Sequence, residues 1–364
     1  MIIGVDASNI RTGGGKKHLE KFISNSLCED KNIKYVIVSN DYINSSFKEL
    51  SNVKCISNRL LNLNNITSFI SQFFLSKQYF KKFKCEIVFV PGGIFLSSFT
   101  PFVSMSQNML PFDLKELKAF SISKRIKFLI IRIFQISTFK KSDGIIFLTE
   151  FAKDTILPII KKRKKYSIIP HGISQLSKNK YSFKKGKCKI LYVSDFLPYK
   201  HQINVMNSVK ELIQDGYDIS LKLIGNISKG DLKKVYNSIP KEFISKDRIE
   251  ILGFLPNKAI KDYYQNSSML LFASTCENLP FIILEAISHG LPVITSDKKP
   301  MNQMVSGTNI FFDSYNIQSI KKIILKNMDS NKLIEMSKQN FLLSKNYSWD
   351  KNVSKTVNFL KSCI

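Results

Sequence analysis

The sequence predicts an α/β protein made of two doubly wound parallel sheets. Apolar runs of strand length alternate with amphipathic segments of helix length along nearly the whole chain. The 364 residues are enough for two α/β domains that each bury a core. A polar stretch, Gln175–Lys187, divides the series of strands into halves. We therefore expect one domain over residues 1–174, a linker over 175–187 and a second domain over 188–348.

The strands are predicted from short runs rich in Ile, Val, Leu and Phe. Those of the first half are Ile2–Asp6, Tyr35–Ser39, Glu86–Val90, Phe102–Met105, Gly144–Leu148 and Tyr166–Ile169. Those of the second half are Lys189–Val193, Ser220–Ile224, Ile249–Leu252, Met269–Ala273, Pro292–Thr295 and Asn309–Phe312. Sheets of this kind bind ligands at the carboxyl ends of their strands, which predicts a cleft between the two domains.

The composition excludes several classes of protein. The chain is 44% hydrophobic, and it has no apolar run long enough for a transmembrane helix. Its first residues run straight into a predicted strand and lack a basic region, so we expect that they are not a signal peptide. Its six cysteines and four histidines form no zinc, redox or HExxH spacing, so we expect reduced thiols in a cytoplasmic protein. The net charge of +27 predicts attraction to nucleic acid, anionic lipid or phosphorylated substrates. A lysine excess from compositional bias explains it equally well.

Two glutamates eight residues apart, Glu277 and Glu285, carry the main functional signal. Glu277 follows the predicted strand Met269–Ala273. Pro280 is suited to be the first residue of a helix, which Gly290 then ends before the next strand. The segment is therefore a predicted βαβ unit, with a helix N-terminus that can bind an anion between the two carboxylates. Two solvated glutamates beside an ordinary βα loop are the alternative.

This segment resembles the E-x7-E signature of retaining GT-B glycosyltransferases, in particular glycosyltransferase family four, also called group 1. The resemblance implies two Rossmann-like domains facing a cleft. It implies that Glu277 faces the sugar of a nucleotide-sugar donor and is catalytic, and that Glu285 accepts hydrogen bonds from the ribose. The loop and the helix start would bind the donor through Asn278, Leu279, Pro280 and Phe281.

A glycine run after the first strand, Gly13-Gly14-Gly15, precedes the helix predicted over Lys16–Cys28. It lacks the GxGxxG spacing of a dinucleotide site. The resemblance makes it a glycine-rich loop that faces the donor, with Gly14 and Gly15 as binding residues. A plain surface turn is the alternative.

Lys200 matches a lysine that clamps the donor diphosphate in the family. The arginine expected five residues earlier is replaced by Asp195, which removes one positive charge from the clamp. After later strands, Gly225 and Leu255 match loops that pack on the nucleoside. Trp349–Ile364 matches the last helix of the family, which crosses back to the first domain.

Gln107 and Asn108 follow a strand of the first half, where many members of the family have a catalytic histidine. An amide cannot relay a proton. Retaining transfer in this family is thought to need no enzyme nucleophile, because the acceptor hydroxyl attacks from the face that the leaving group departs. The leaving phosphate takes the proton of the acceptor. We therefore keep both residues as catalytic candidates. For His171, before Gly172, we expect a structural role in a turn rather than a contact with substrate.

The segment Ser123–Lys141 is both apolar and basic, with apolar residues at helical spacing, namely Ile126, Leu129, Ile130, Ile133 and Phe134. It could lie on an anionic membrane. We expect instead that its apolar face packs on the first sheet.

Together these features predict a retaining glycosyltransferase that uses a nucleotide-sugar and a glycan or lipid-linked acceptor in cell-surface polysaccharide synthesis. No cofactor or metal is expected, because Lys200 and the helix dipole can offset the diphosphate charge. The enzyme would be cytoplasmic, with possible contact to an anionic membrane face. The alternatives are a GT-B nucleotide-sugar epimerase and a basic nucleic-acid-binding protein. Against the latter, there is no zinc finger and no concentrated basic stripe, so no specific nucleic acid is expected.

Overall fold

The structure is a computed structural model that describes residues 1–11, 13–161, 163–174, 176, 181, 187–305 and 310–364. Two compact units are present, one of Met1–Gly172 with Ser348–Ile364 and one of Ile173–Tyr347. Most of the linker predicted over 175–187 lies outside the described residues.

Within the described residues, the first unit contains a seven-stranded parallel sheet in the order β3-β2-β1-β4-β5-β6-β7. Its strands are β1 (Ile2–Asp6), β2 (Lys34–Val38), β3 (Val53–Ile56), β4 (Ile87–Val90), β5 (Phe102–Ser106), β6 (Gly144–Phe147) and β7 (Tyr166–Ile168). The helices between them are α1 (Gly13–Glu29), α2 (Asp41–Asn44), α3 (Arg59–Leu63), α4 (Asn65–Phe74), α5 (Ser76–Lys82), α6 (Leu114–Leu117), α7 (Ile122–Lys141) and α8 (Glu150–Ile160). A 3-10 turn covers Leu110–Phe112.

The described part of the second unit contains a six-stranded parallel sheet in the order β10-β9-β8-β11-β12-β13. Its strands are β8 (Cys188–Val193), β9 (Ile219–Ile224), β10 (Ile249–Gly253), β11 (Met269–Phe272), β12 (Val293–Ser296) and β13 (Phe311–Phe312). Its helices are α9 (Gln202–Gln214), α10 (Lys229–Ser238), α11 (Asn257–Asn266), α12 (Phe281–Ser288), α13 (Met301–Met304), α14 (Ile317–Lys326) and α15 (Ser330–Ser344). Short 3-10 turns cover Pro198–Lys200 and Lys241–Phe243, and α16 (Trp349–Lys361) then belongs to the first unit.

The central strands are buried on both faces, as parallel strands covered by helices must be. Every residue of β4, β5, β11 and β12 is buried. The continuous apolar runs of the sequence follow from this burial. The predicted fold class, α/β with two Rossmann-like doubly wound parallel sheets, is confirmed.

The strand order locates the place where each sheet can bind a ligand. In the first sheet the order reverses between β1 and β4, and in the second it reverses between β8 and β11. Chain segments leave the carboxyl ends of these neighbouring strands in opposite directions, which opens a crevice between them. The residues that follow these four strands are therefore the first candidates for a site.

The structure differs from the sequence prediction at three elements. Strand β3 was not predicted, because its sequence is short, its residues are only partly buried and Lys54 interrupts its apolar pattern. The prediction that Gly13, Gly14 and Gly15 form a loop before the helix is wrong. Helix α1 already begins at Gly13, which has a positive φ of 70°, and Gly14 and Gly15 lie in its first turn. Pro280 precedes α12 rather than forming its first residue. The predicted last strand starts at Asn309, which lies outside the described residues.

Helix α7 contradicts the expectation that its apolar face is packed on the sheet. The residues that this helix buries are Gln135, Thr138 and Phe139, near its C-terminal end. Phe134 is partly buried, but its other apolar residues at helical spacing are exposed, namely Ile122, Ile126, Leu129, Ile130 and Ile133. Periodicity predicts which residues share a face, but it does not tell whether another element covers that face. Across the described ranges, no helix is long and apolar enough to cross a bilayer.

Candidate functional site

The crevice of the second unit contains an ion pair between Lys200 and Glu277. Lys200 ends the 3-10 turn that follows β8, and Glu277 lies in the loop between β11 and α12. The Nζ atom of Lys200 contacts Oε1 of Glu277, and the two side chains are only 11% and 15% exposed. A pair this shielded from water is held firmly, because each charge would be costly to leave alone.

The surroundings of the ion pair fix the direction of both side chains. The hydroxyl of Ser274 donates to the same Oε1 of Glu277 at 2.6 Å. The ammonium of Lys200 lies 5.2 Å from the ring centroid of Phe272 and 5.1 Å from that of Tyr199. These aromatic faces attract the cation and exclude water from it. The amine is therefore held over the carboxyl ends of β8 and β11.

Backbone contacts join the two loops that carry this pair. The amide of Thr275 donates to the carbonyl of Tyr199 at 2.9 Å. The Nε2 atom of His201 lies 3.1 Å from the Thr275 hydroxyl. The buried Tyr192 hydroxyl donates to the carbonyl of Lys200. The loops after β8 and β11 therefore form one rigid rim at the strand ends.

The N-terminus of α12 begins directly beside this rim. Asn278, Leu279 and Pro280, at the end of the loop, are buried, and Phe281, the first helical residue, is partly exposed. A helix N-terminus has a partial positive charge and amides without intrahelical acceptors. Lys200 and the start of α12 together make this end of the sheet suited to an anion.

Glu285 lies more than one turn into α12, where its orientation is set by another helix. The hydroxyl of Tyr264, on α11, donates to Oε2 of Glu285 at 3.1 Å. Tyr264 is buried, and burial followed by the negative charge of Glu285 holds the pKa of its phenol well above the usual range. The phenol is therefore always a donor at neutral pH. His289 packs on the Tyr264 ring with centroids 5.2 Å apart and supports it from the end of α12.

Asp195, which stands where the family has an arginine, is hydrogen-bonded to the loop after β9. Oδ1 of Asp195 accepts hydrogen bonds from the backbone amide of Asn226 at 2.7 Å and from its side-chain amide at 2.9 Å. Gly225 adopts a φ of 149°, and a Cβ there would lie 2.1 Å from the carbonyl oxygen of Ser194. Asp195 therefore fastens one loop to the next at a point where glycine permits close approach. Leu255 follows β10 nearby in the chain and is partly buried.

The predicted residues of the first unit gather at the corresponding end of its own sheet. Gly14 is exposed, and a Cβ added to Gly15 would lie 3.6 Å from Oε1 of Gln107. The structure thus brings the start of α1 next to the residue that follows β5. Asn108 is exposed, and its Oδ1 accepts from the amide of Leu110 at 3.0 Å, so it also caps a turn.

A buried carboxylate that sequence reasoning missed supports this end of the first sheet. Oδ1 of Asp6 accepts from the hydroxyl of Ser8 at 2.6 Å and from Nε2 of Gln72 at 2.9 Å, and its Oδ2 accepts from Ser76 at 3.1 Å. Burial raises the pKa of Asp6, while these hydrogen bonds lower it. The network ties the end of β1 to α4 and α5. A polar residue ending an apolar strand was the only sequence signal for it.

His171 is buried rather than directed at a ligand. Its ring lies 4.7 Å from the ring of buried His18, which in turn packs 5.9 Å from Trp349 of α16. Burial lowers the pKa of both histidines, that of His18 to about 4. Both imidazoles are therefore neutral at physiological pH, in agreement with a structural role.

The predicted site residues thus form two groups, one at the carboxyl ends of each sheet. The group in the second unit joins Lys200 to Glu277, with the start of α12 between the two predicted carboxylates. The group in the first unit joins Gly15 to Gln107. Among the described residues, no three His, Cys, Asp or Glu side chains lie close enough to hold a metal ion.

The fold is of the GT-B type, and known structures share it along the whole chain. Sucrose-phosphate synthase from Thermosynechococcus elongatus has a TM-score of 0.77 at 12% identity, covering 100% of this chain and 98% of that one. Anabaena Alr3699/HepE, solved in complex with UDP and glucose, has a TM-score of 0.71 at 13% identity, covering all of both chains. At such identities the likeness shows the fold alone.

Sequence comparison is more specific for the second unit. Residues 174–341 match the family model described as Glycosyl transferases group 1. The capsular polysaccharide biosynthesis glycosyltransferase CapH of Staphylococcus aureus is 29% identical over 166 residues, which cover 45% of this chain and 45% of CapH. The matched segment thus spans less than half the length of that relative. The resemblance to group 1 glycosyltransferases, inferred from the two glutamates, is confirmed for residues 174–341.

Proposed function

We propose that this protein transfers a sugar from a nucleotide-sugar to a glycan or lipid-linked saccharide during synthesis of a cell-surface polysaccharide. One observation carries the proposal. A cation, a carboxylate and a helix N-terminus meet where the strand order of the second sheet reverses, and a second oriented carboxylate lies further along that helix, all within the segment that matches group 1 glycosyltransferases. The name of CapH supports a role in polysaccharide synthesis, and the UDP and glucose bound to Alr3699/HepE support a nucleotide-sugar as the donor.

The roles of the residues follow from charge and position. Lys200 and the N-terminus of α12 offset the negative charge of the donor diphosphate, which grows as the sugar leaves. Glu277 holds the Lys200 amine in place and faces the donor sugar. Glu285, oriented by Tyr264, accepts hydrogen bonds from the ribose hydroxyls. This set of contacts requires no metal ion at the diphosphate.

We propose transfer with retention of configuration. The bond between the anomeric carbon and the phosphate oxygen breaks, and a bond to the acceptor oxygen forms on the same face of the sugar. The acceptor proton passes to the leaving phosphate oxygen, so no protein base is required. Gln107, which cannot relay a proton, fits this scheme as a hydrogen-bonding residue. Gln107, Asn108, Gly14 and Gly15 would then contact acceptor or donor from the first unit. A lipid-linked acceptor would place the reaction at the cytoplasmic face of a membrane.

The experiment is a transfer assay with a panel of UDP-, GDP-, ADP- and dTDP-sugars. Release of nucleoside diphosphate is measured, and the anomeric configuration of the product is read by NMR. We expect one donor to be consumed, with product and donor sharing the same configuration. The Glu285→Ala variant should lose this activity, whereas Glu335→Ala, an exposed glutamate of the same unit, should keep it. Inverted product would refute retention, and no turnover or binding of any donor would refute the proposed function.

A further inference from the structure

Helices α4 and α7 expose an unusual amount of apolar side chain. The exposed apolar residues of α4 are Ile66, Ile70, Phe73 and Phe74, and those of α7 are Ile122, Ile126, Leu129, Ile130 and Ile133. Ile66 and Ile122 are each 73% exposed. We call these nine residues the α4–α7 surface. Single exposed apolar residues need no explanation, but a contiguous apolar patch marks an interaction surface.

A groove joins six of these nine residues, all except Ile122, Leu129 and Ile133. It has a volume of about 1150 Å³ and runs between the two helices, with Phe69 of α4 and Phe134 of α7 in its lining. Their ring centroids lie 6.1 Å apart, so the two helices are in contact beneath the exposed residues. The groove extends to Asn9 and Asn108, at the carboxyl ends of the first sheet. The apolar surface thus adjoins the end of the unit where we place the acceptor.

The charged residues of α4, α5 and α7 all have one sign. Helices α4, α5 and α7 contain no Asp or Glu. Their charged residues are Lys77, Lys81, Lys82, Lys124, Arg125, Lys127, Arg132, Lys140 and Lys141. Lys124 and Lys127 are exposed on the first turns of α7, beside Ile126, and Lys127 also lines the groove.

We propose that the α4–α7 surface docks on an anionic lipid bilayer. An amphipathic helix with apolar residues on one side and lysines beside them lies in the membrane interface, where its apolar side chains enter the acyl boundary. The lysines then meet anionic headgroups, each favouring the bound state. A second copy of the chain fits this surface poorly, because it would bring two basic surfaces together.

Docking would open the groove toward the bilayer, with Asn108 at its inner end. This consequence rests on the proposed function, since it places a lipid-linked acceptor beside Gln107 and Asn108. The docking itself does not rest on glycosyl transfer. It is therefore tested on the full chain without donor or acceptor, by sedimentation with lipid vesicles.

The test compares phosphatidylcholine vesicles with vesicles that also contain phosphatidylglycerol. We expect the wild type to bind the anionic vesicles, and salt to weaken this binding. The variant with Phe73→Asp and Ile126→Asp should bind about tenfold or more weakly, because it places charge in the apolar interface. Lys124→Glu with Lys127→Glu should also weaken binding. The controls are Leu342→Asp and Lys338→Glu, which alter exposed residues of α15.

Each outcome bears on the proposal. Loss of binding in both surface variants, with the controls unchanged, supports it. A wild type that does not bind anionic vesicles overturns it. Equal binding by the Phe73→Asp, Ile126→Asp variant also overturns it, since charge alone would then bring the chain to lipid. The proposal is also overturned if the wild type sediments as a dimer and these substitutions make it monomeric, because the surface would then join two copies of the chain.

Discussion

The ammonium of Lys200 rests against the carboxylate of Glu277, although the two residues are 77 positions apart in the chain. They come together because Lys200 follows β8 and Glu277 follows β11, neighbouring strands where the sheet order reverses. Family resemblance gave each residue a separate role toward the donor. The structure adds that each one fixes the other.

Breaking this ion pair should cost stability. Lys200→Met leaves the Glu277 carboxylate nearly buried without its cation, and we expect a loss of about 2–4 kcal/mol in the free energy of unfolding. Glu277→Gln should cost a similar amount. Because the two losses share one interaction, the double variant should cost clearly less than their sum. Urea unfolding followed by circular dichroism measures this, with Lys338→Met as the control. Additive losses would show that the pair contributes nothing.

Removing the Tyr264 hydroxyl should weaken nucleotide binding, although this hydroxyl acts on the nucleotide only through Glu285. In Tyr264→Phe the Glu285 carboxylate loses the hydrogen bond that orients it, so affinity for a nucleoside diphosphate should fall by about 0.5–1.5 kcal/mol. The control is Tyr263→Phe, the neighbouring tyrosine on α11. Isothermal titration calorimetry measures both affinities. Unchanged affinity in a folded Tyr264→Phe protein would remove Tyr264 from the positioning of Glu285.

Restoring the arginine of the family at position 195 should not tighten donor binding. Asp195→Arg gains a cation but loses both hydrogen bonds to Asn226, which hold the loop after β9 in place. We expect weaker binding and a lower Tm, and Asp195→Ala should behave alike. Asp195→Asn keeps an acceptor oxygen and should stay close to wild type. Tighter binding by Asp195→Arg would mean that the diphosphate charge, rather than the loop, limits affinity.

The first unit should lose stability in mild acid. The pKa of His18 is lowered to about 4 by burial, from an ordinary value of 6.5, and that of His171 is lowered as well. The unfolded chain therefore binds more protons than the folded one between these values. The stability is complete above pH 6.5 and falls as the pH drops toward 4, by about 2 kcal/mol at pH 5 for His18 alone.

Trp349, the single tryptophan, packs on His18 and reports unfolding of this unit by fluorescence. Urea midpoints at pH 7.5 and pH 5 give the loss of stability. Asp6, whose pKa is raised by burial, acts in the opposite sense, so the comparison includes His18→Phe. That variant should show a smaller difference between the two pH values. An equal difference would assign the acid sensitivity to other groups.

The sheets were predictable because their central strands are buried on both faces and so appear as continuous apolar runs. Strand β3 was not, because a half-buried edge strand has no such run. The exposed face of α7 was misread for a related reason. Its periodicity is that of a packed helix, and only the three-dimensional structure shows that its first turns have no covering element among the described residues.

The candidate site was predictable only in part. The two glutamates stand at a recognisable spacing within one βαβ unit, so a local pattern located them. Tyr264 orients Glu285 from a different helix, and the Asp6 network joins three separate segments. Contacts of this kind depend on how helices pack, and the spacing of residues within one segment does not predict that packing. From the sequence, Asp195 was interpreted as the loss of a positive charge from the diphosphate clamp. Its hydrogen bonds show that it holds a loop.

Calorimetric titration of the full chain with UDP, GDP, ADP and dTDP measures whether the crevice of the second unit binds a nucleotide. We expect saturable binding of one of these at a single site. We also expect that Glu285→Ala weakens this binding by about 1.5–3 kcal/mol while Glu335→Ala leaves it unchanged. Binding of none of the four, or equal binding by wild type and Glu285→Ala, would show that Glu285 and its crevice do not form a nucleotide site.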